Sequence, residues 1–139
     1  MSGVATQSRD VFLASVNRCL AEPGFIAGFY ERFLRSSSEV REKFRQTDME
    51  RQFRMLADSL YVVANAVQGE EGSIARGDLP RLAKRHSREG LDIGPHLYAL
   101  WSDCLVATAK ATDTQFDAAV EAAWRETLAH GARYMTDRY

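Results

Sequence analysis

The chain has 139 residues, 45% of them hydrophobic, with 18 Lys and Arg against 19 Asp and Glu and a net charge of −1. That length suits one domain, residues 1–139, with a sizeable core, and the near-zero charge argues against nucleic acid or a membrane surface as partner. No apolar run approaches the roughly 20 residues that span a bilayer, and the opening MSGVATQSRD lacks the basic and apolar regions of a signal peptide, so a cytoplasmic protein is expected.

In chain order, the sequence reads as helix after helix. Thr6 or Ser8 is placed to cap a first helix with Val11, Phe12, Ser15, Val16, Cys19 and Leu20 on one stripe, ending near Glu22. Pro23 suits the first turn of a second, whose inner side is Phe25, Ile26, Phe29, Tyr30, Phe33 and Leu34. The run Ser36-Ser37-Ser38 breaks it, and Ser38 can cap a short turn through Val40 to Phe44. Asp48 then caps a longer helix with the stripe Met49, Gln52, Phe53, Leu56, Leu60, Val63 and Val67, on which Gln52 is the polar exception. The segment QGEEGSIARGD, residues 68 to 78, reads as a loop, and Asp78 with Pro80 opens the next helix.

That next helix carries Leu79, Leu82, Ala83 and His86 at i, i+3, i+4 and i+7, so the imidazole of His86 points where a core side chain would. A buried imidazole needs a partner for each nitrogen. Iron suits one nitrogen, because neutral imidazole is a strong ligand for it, while the other nitrogen donates to a backbone carbonyl. The competing reading is a satisfied core histidine in a cofactor-free bundle. Gly90 and Gly94-Pro95 end this helix and begin another, with Leu97, Leu100, Trp101, Cys104, Leu105 and Thr108 on one face. Thr112 or Asp113 starts the last, with Phe116, Val120, Ala123, Trp124, Leu128, Gly131, Tyr134 and Met135 at helical spacing. No alternation marks a strand, so the class is all-α. Cys19 and Cys104 are isolated and read as small core residues, and His96 and His130 have no neighbour at ligand spacing.

The segment FYERFLRSSSEVREKF, residues 29 to 44, followed by Gln52 and then HSREGLDIGPHLY from His86, resembles the bacterial single-domain haemoglobins and the globin domain of flavohaemoglobins. The shared features are order and spacing: a tyrosine on the second helix, a phenylalanine fourteen residues later, a polar position beyond it, and one histidine before a glycine-proline turn. The resemblance implies a globin fold of about seven helices around a haem pocket, with His86 as the metal ligand to a b-type haem. It also implies Phe44 against the ring, with Leu56, Leu82, Ile93, Tyr98 and Trp101 as wall residues. Tyr30 and Gln52 match the pair that hydrogen-bonds a polarised diatomic gas, with Arg51 and Phe53 as alternatives to Gln52 if the register shifts by one. Arg51, Arg54, Lys84 and Arg85 are candidates to meet the anionic edge of haem, and Met55 is a further candidate to approach the iron.

No G-x-G-x-x-G dinucleotide fingerprint occurs, so reduction would require a separate protein. The glutamate that flavohaemoglobins set against the histidine late in the last helix falls here at about Tyr139, which disfavours oxygen activation. Reversible binding of dioxygen or another diatomic, for storage or sensing, is therefore expected. Nitric oxide dioxygenation with a separate reductase and a haem-free regulatory role are the alternatives. A homodimer through Leu97–Lys110 and Phe116–Tyr139 is a further expectation, with Ala119, Ala122, Ala132 and Met135 widening the apolar stripe, and an output protein is a possible partner.

Overall fold

In a computed structural model the described residues are 2–66 and 74–139. They form seven helices: α1 (Ser2–Leu20), α2 (Phe25–Ser36), α3 (Ser38–Lys43), α4 (Met49–Ala66), α5 (Ile74–His86), α6 (His96–Thr112) and α7 (Ala118–Asp137). No described residue is in a strand, and no described helix is long and apolar enough to cross a membrane. The helices pack mainly as pairs, α1 on α7, α2 on α6 and α4 on α5, in the crossed arrangement of a globin fold.

Several helix boundaries differ from those read in the sequence. Helix α1 begins at Ser2, so Thr6 and Ser8 lie inside it, and the Ser8 hydroxyl donates to Glu126 of α7 at 2.9 Å. Pro23 precedes α2, which starts after Gly24. Ser37, in extended backbone, caps α3 by accepting from the N–H groups of Glu39 and Val40, a role expected of its neighbour Ser38. Asp48 does cap α4, accepting from Arg51 N–H at 3.4 Å.

The largest difference is at α5. Residues 68–73 of the expected loop lie outside the described residues, as does Val67, but Ile74 to Asp78 are helical and Asp78 is no cap. Pro80 sits inside the helix, where it deprives one carbonyl of the preceding turn of its donor. The helix nevertheless continues to His86. Helix α7 starts at Ala118: Asp113 and Asp117 are both extended, but it is Asp117 whose side chain accepts from Val120 N–H, at 2.9 Å, and caps the helix.

Asp113 is buried and engaged elsewhere. Arg18 of α1 grips it with two bonds of 2.6 and 2.9 Å, and Ser15 donates to it at 2.6 Å. Ser15 in turn accepts from the indole N–H of Trp124 at 2.9 Å, and Trp124 meets the ring of Phe12 edge to face at 4.8 Å. One carboxylate thus ties α1, the α6–α7 joint and α7 at the end of the core that holds no histidine. Burial alone would raise its pKa, but the bonds from Arg18, Ser15 and the Gln115 N–H outweigh burial and hold it at about 2.

Because this folded pKa lies below the ordinary 3.8, the stabilisation is complete above about pH 4 and is lost as pH falls towards 2. Asp113→Asn is expected to lower stability at pH 7 by about 2 kcal/mol and to flatten the acid limb of the pH–stability curve. Urea unfolding from pH 7 to pH 2.5 checks both; parallel curves for variant and wild type would contradict the assignment.

Candidate functional site

His86 is the last residue of α5, half-buried, with its Nδ1 2.9 Å from the carbonyl of Leu82 one turn earlier. A carbonyl can only accept, so Nδ1 carries the proton and the lone pair of the neutral ring is on Nε2. Burial lowers the pKa of His86 below its ordinary 6.5, opposed in part by the Leu82 bond, and nearby Arg85 lowers it further. The ring is therefore neutral at pH 7, which a metal-binding imidazole must be.

The imidazole lines a cavity of about 460 Å³ bounded by α2, α3, α4, α5, α6 and α7. That volume is within the range of sites for small organic ligands and cofactors. Its walls are mostly apolar: Phe33, Val40, Phe44, Leu56, Val63, Leu82, Ile93, Leu97, Tyr98, Trp101 and Met135. Tyr98 lies against the proximal wall with its hydroxyl pushed up to about 12 by burial.

Tyr30, on α2, is 3% exposed and reaches the same cavity. Its ring stacks on Phe53 at 5.2 Å and meets Phe44 at 5.8 Å and Phe29 at 4.8 Å edge to face, so three aromatics fix its direction. The Gln52 side-chain amide donates to the Tyr30 hydroxyl at 3.1 Å, and that hydroxyl donates to the Gln52 backbone carbonyl at 3.4 Å. The second bond is longer than the ordinary range of about 2.5–3.0 Å for an O–H donor, so this proton is weakly held and can turn to a better acceptor in the cavity. Burial raises the phenol to about 12 against the opposing bond from Gln52, so the hydroxyl keeps its proton at any ordinary pH.

All nine residues expected at the site, Tyr30, Phe44, Gln52, Leu56, Leu82, His86, Ile93, Tyr98 and Trp101, line this one cavity. Of the alternatives to Gln52, Arg51 also lines it, whereas Phe53 packs behind Tyr30. Met55 lies at the cavity and is 37% exposed. Arg51 and Arg85 are among the lining residues; Arg54 and Lys84 are not. Sequence reasoning missed Val63, Leu97 and Met135, whose only signal was membership of the helical stripes, and Lys43, which had none.

The other histidines lie apart. His96 is exposed and bonded to Glu39 at 2.7 Å, and neither it nor His130 lines the cavity. Tyr139 does not face His86: its hydroxyl is bonded to Asp92. Ala132 and Met135 line the cavity, which removes them from the apolar outer face expected of α7, while Ala119 and Ala122 lie along a shallow cleft against α1.

A haem needs an apolar slot, a nitrogen lone pair on one side, few polar groups opposite, and cations at the edge. The walls, Nε2 of His86, the Tyr30–Gln52 pair and the exposed Arg51 and Arg85 supply those parts. Among the described residues no cluster of three or more His, Cys, Asp or Glu offers a metal another site.

Comparison with known proteins agrees with the fold. No curated protein matches the chain. The chain is 35% identical to a protein from Pseudomonas aeruginosa PAO1 whose crystal structure is described as highly homologous to a human hemoglobin, with a TM-score of 0.88 over 95% of this chain and 98% of that one. The globin family model matches residues 27–135, which span the tyrosine of α2, the histidine of α5 and nearly all of α7, and the chain belongs to the globin family.

Proposed function

We propose that this globin binds b-type haem through His86 and holds a diatomic gas, dioxygen foremost, reversibly beneath Tyr30 and Gln52. The globin family implies haem binding, and the single observation that carries the rest is that the Nε2 lone pair of His86 and the Tyr30–Gln52 hydrogen-bonding pair open on one apolar cavity. Haem, when bound, supplies an iron centre with one coordination position open to a small ligand.

This chain's own residues then do four things. His86 offers Nε2 while the Leu82 carbonyl holds the ring in one tautomer and orientation. Tyr30 turns its weakly held proton towards a partly negative ligand, and Gln52, bonded to the same hydroxyl, keeps the phenol aimed. The apolar walls exclude water, which strengthens those hydrogen bonds and protects a bound gas from protons. Arg51 and Arg85 are placed to meet the anionic edge of the ring.

Binding is favoured over oxygen activation by the partner of His86. A carboxylate on Nδ1 would make the imidazole a stronger electron donor, but here the partner is a neutral carbonyl and Tyr139 is turned to Asp92. Nitric oxide dioxygenation with a separate reductase remains the competing reading for the same pocket. Sustained nitrate formation on addition of a reductase and nitric oxide would move the assignment there.

Haem-reconstituted wild-type protein is expected to show a Soret band that His86→Ala changes in position and intensity, with a large loss of haem affinity. An unchanged spectrum and affinity in the variant would remove His86 from the iron. For Tyr30→Phe, stopped-flow measurement should show dioxygen released roughly tenfold to more than a hundredfold faster, since a hydrogen bond to a charged acceptor contributes on the order of 1.5–3 kcal/mol. Release at the wild-type rate would exclude Tyr30 from ligand stabilisation.

A further inference from the structure

The turn that follows His86 is held from outside as well as by its own bonds. Within it, the N–H of Leu91 donates to Arg85 at 2.7 Å, that of Asp92 to Ser87 at 2.9 Å, and that of Ile93 to the carbonyl of His86 at 3.0 Å. The turn is tight: a Cβ on Gly90 would lie 2.2 Å from the Arg85 carbonyl oxygen. Asp92 has φ of 54°, a left-handed conformation that is uncommon outside glycine, although aspartate tolerates it better than most residues.

Two residues from distant parts of the chain hold the turn in place. Lys43, the last residue of α3, donates from Nζ to the carbonyls of Leu91 at 3.1 Å and Asp92 at 2.8 Å. Tyr139 holds the Asp92 carboxylate with its hydroxyl, accepts from the Arg88 N–H at 3.2 Å, and lies under the Arg88 guanidinium at 4.9 Å. The Lys43 contact has a further property. Lys43 immediately precedes Phe44 and itself lines the cavity, so its two bonds join the aromatic corner on one side of the cavity to the turn beside the histidine on the other. An ammonium tied to two carbonyls is also committed to the backbone, unlike Arg51 and Arg85.

We propose that Lys43 is a positioning residue for His86: by fixing the Leu91 and Asp92 carbonyls to the end of α3, it couples the corner that carries Phe44 to the turn that orients the imidazole. The path is short. Lys43 holds two carbonyls of the turn, and the next residue, Ile93, donates its N–H to the backbone carbonyl of His86 at the end of α5. The role as iron ligand assumed here for His86 rests on the function proposed above; the coupling between α3 and the turn does not.

Hydrogen exchange on the full chain without haem tests the coupling, with Lys43→Met, which keeps a similar stem without the charge, and Lys43→Arg, which restores donors. In Lys43→Met the amides of Leu91, Asp92 and Ile93 should exchange about tenfold faster, as expected for loss of charge-assisted bonds, while those of Val16 and Leu128 keep the wild-type rate. Lys43→Arg should recover most of the protection. Unchanged rates in the turn would overturn the proposal, as would an equal rise throughout α1 and α7, which would make Lys43 a general stability residue. Should Lys43→Met fail to fold, Lys43→Gln is judged by the same criteria.

With haem added, the iron–imidazole stretching band of the ferrous, ligand-free protein should shift or broaden in Lys43→Met and return in Lys43→Arg. A band unmoved in Lys43→Met would overturn the positioning of His86. A wild-type protein whose haem spectrum is indifferent to His86→Ala would instead refute the proposed function and leave the exchange result standing.

Discussion

A neutral imidazole has one N–H and one lone pair, and in this chain the backbone decides which nitrogen carries which. The Leu82 carbonyl, at 2.9 Å, takes the Nδ1 proton of His86 and leaves Nε2 as a base at the cavity. The bond lies within α5, one turn long, so the ring direction is inherited from the end of the helix, which the following turn holds through the bond from Ile93 N–H to the His86 carbonyl. It also sets an electronic limit, because a carbonyl partner donates less electron density through the ring than a carboxylate would.

A cavity lined this heavily with apolar side chains survives only if its walls are anchored elsewhere, since close packing is the ordinary state of a protein interior. Two structures provide that anchorage. At the far end of the core, Asp113 binds Arg18 and Ser15, and Ser15 binds Trp124, locking α1 to α7 and to the α6–α7 joint. On the distal side, Phe33 and Phe44 meet at 6.0 Å, Phe44 and Tyr30 at 5.8 Å, and Tyr30 and Phe53 at 5.2 Å, a continuous aromatic series from α2 through the corner to α4. The tyrosine hydroxyl is thus presented by a rigid wall, and the hydrogen-bonding pair it forms with Gln52 is preorganised before any ligand enters.

Much of the site was legible because it lies on helices. His86 is at the i+7 position of an apolar stripe, and Tyr30, Leu56, Leu82 and Trp101 are stripe residues, so periodicity turns them inward, while the Tyr30–Phe44 spacing and the roles at the site were readable only through the family resemblance. The helix starts were harder, for a physical reason: several capping side chains lie near each boundary, and which one caps depends on contacts distant in sequence. Asp113 is chemically as good a cap as Asp117, but Arg18 and Ser15, 95 and 98 residues away, draw its carboxylate into the core, where its one local bond, from Gln115 N–H, closes a turn, and α7 begins after Asp117 instead. Lys43 was invisible for the same reason, since an exposed lysine carries no sign of the two carbonyls 48 and 49 residues onward that it holds.

The assignment of Nε2 as the iron-binding atom has a direct observable. In ferrous, ligand-free, haem-loaded protein, paramagnetic iron shifts the Nδ1 proton of its histidine ligand far outside the ordinary range of proton NMR. The arrangement at Leu82 predicts one such exchangeable proton, correlated with nitrogen in 15N-histidine-labelled protein and lost in His86→Ala. Its absence from the wild type, or its persistence in His86→Ala, would contradict ligation by His86 through Nε2.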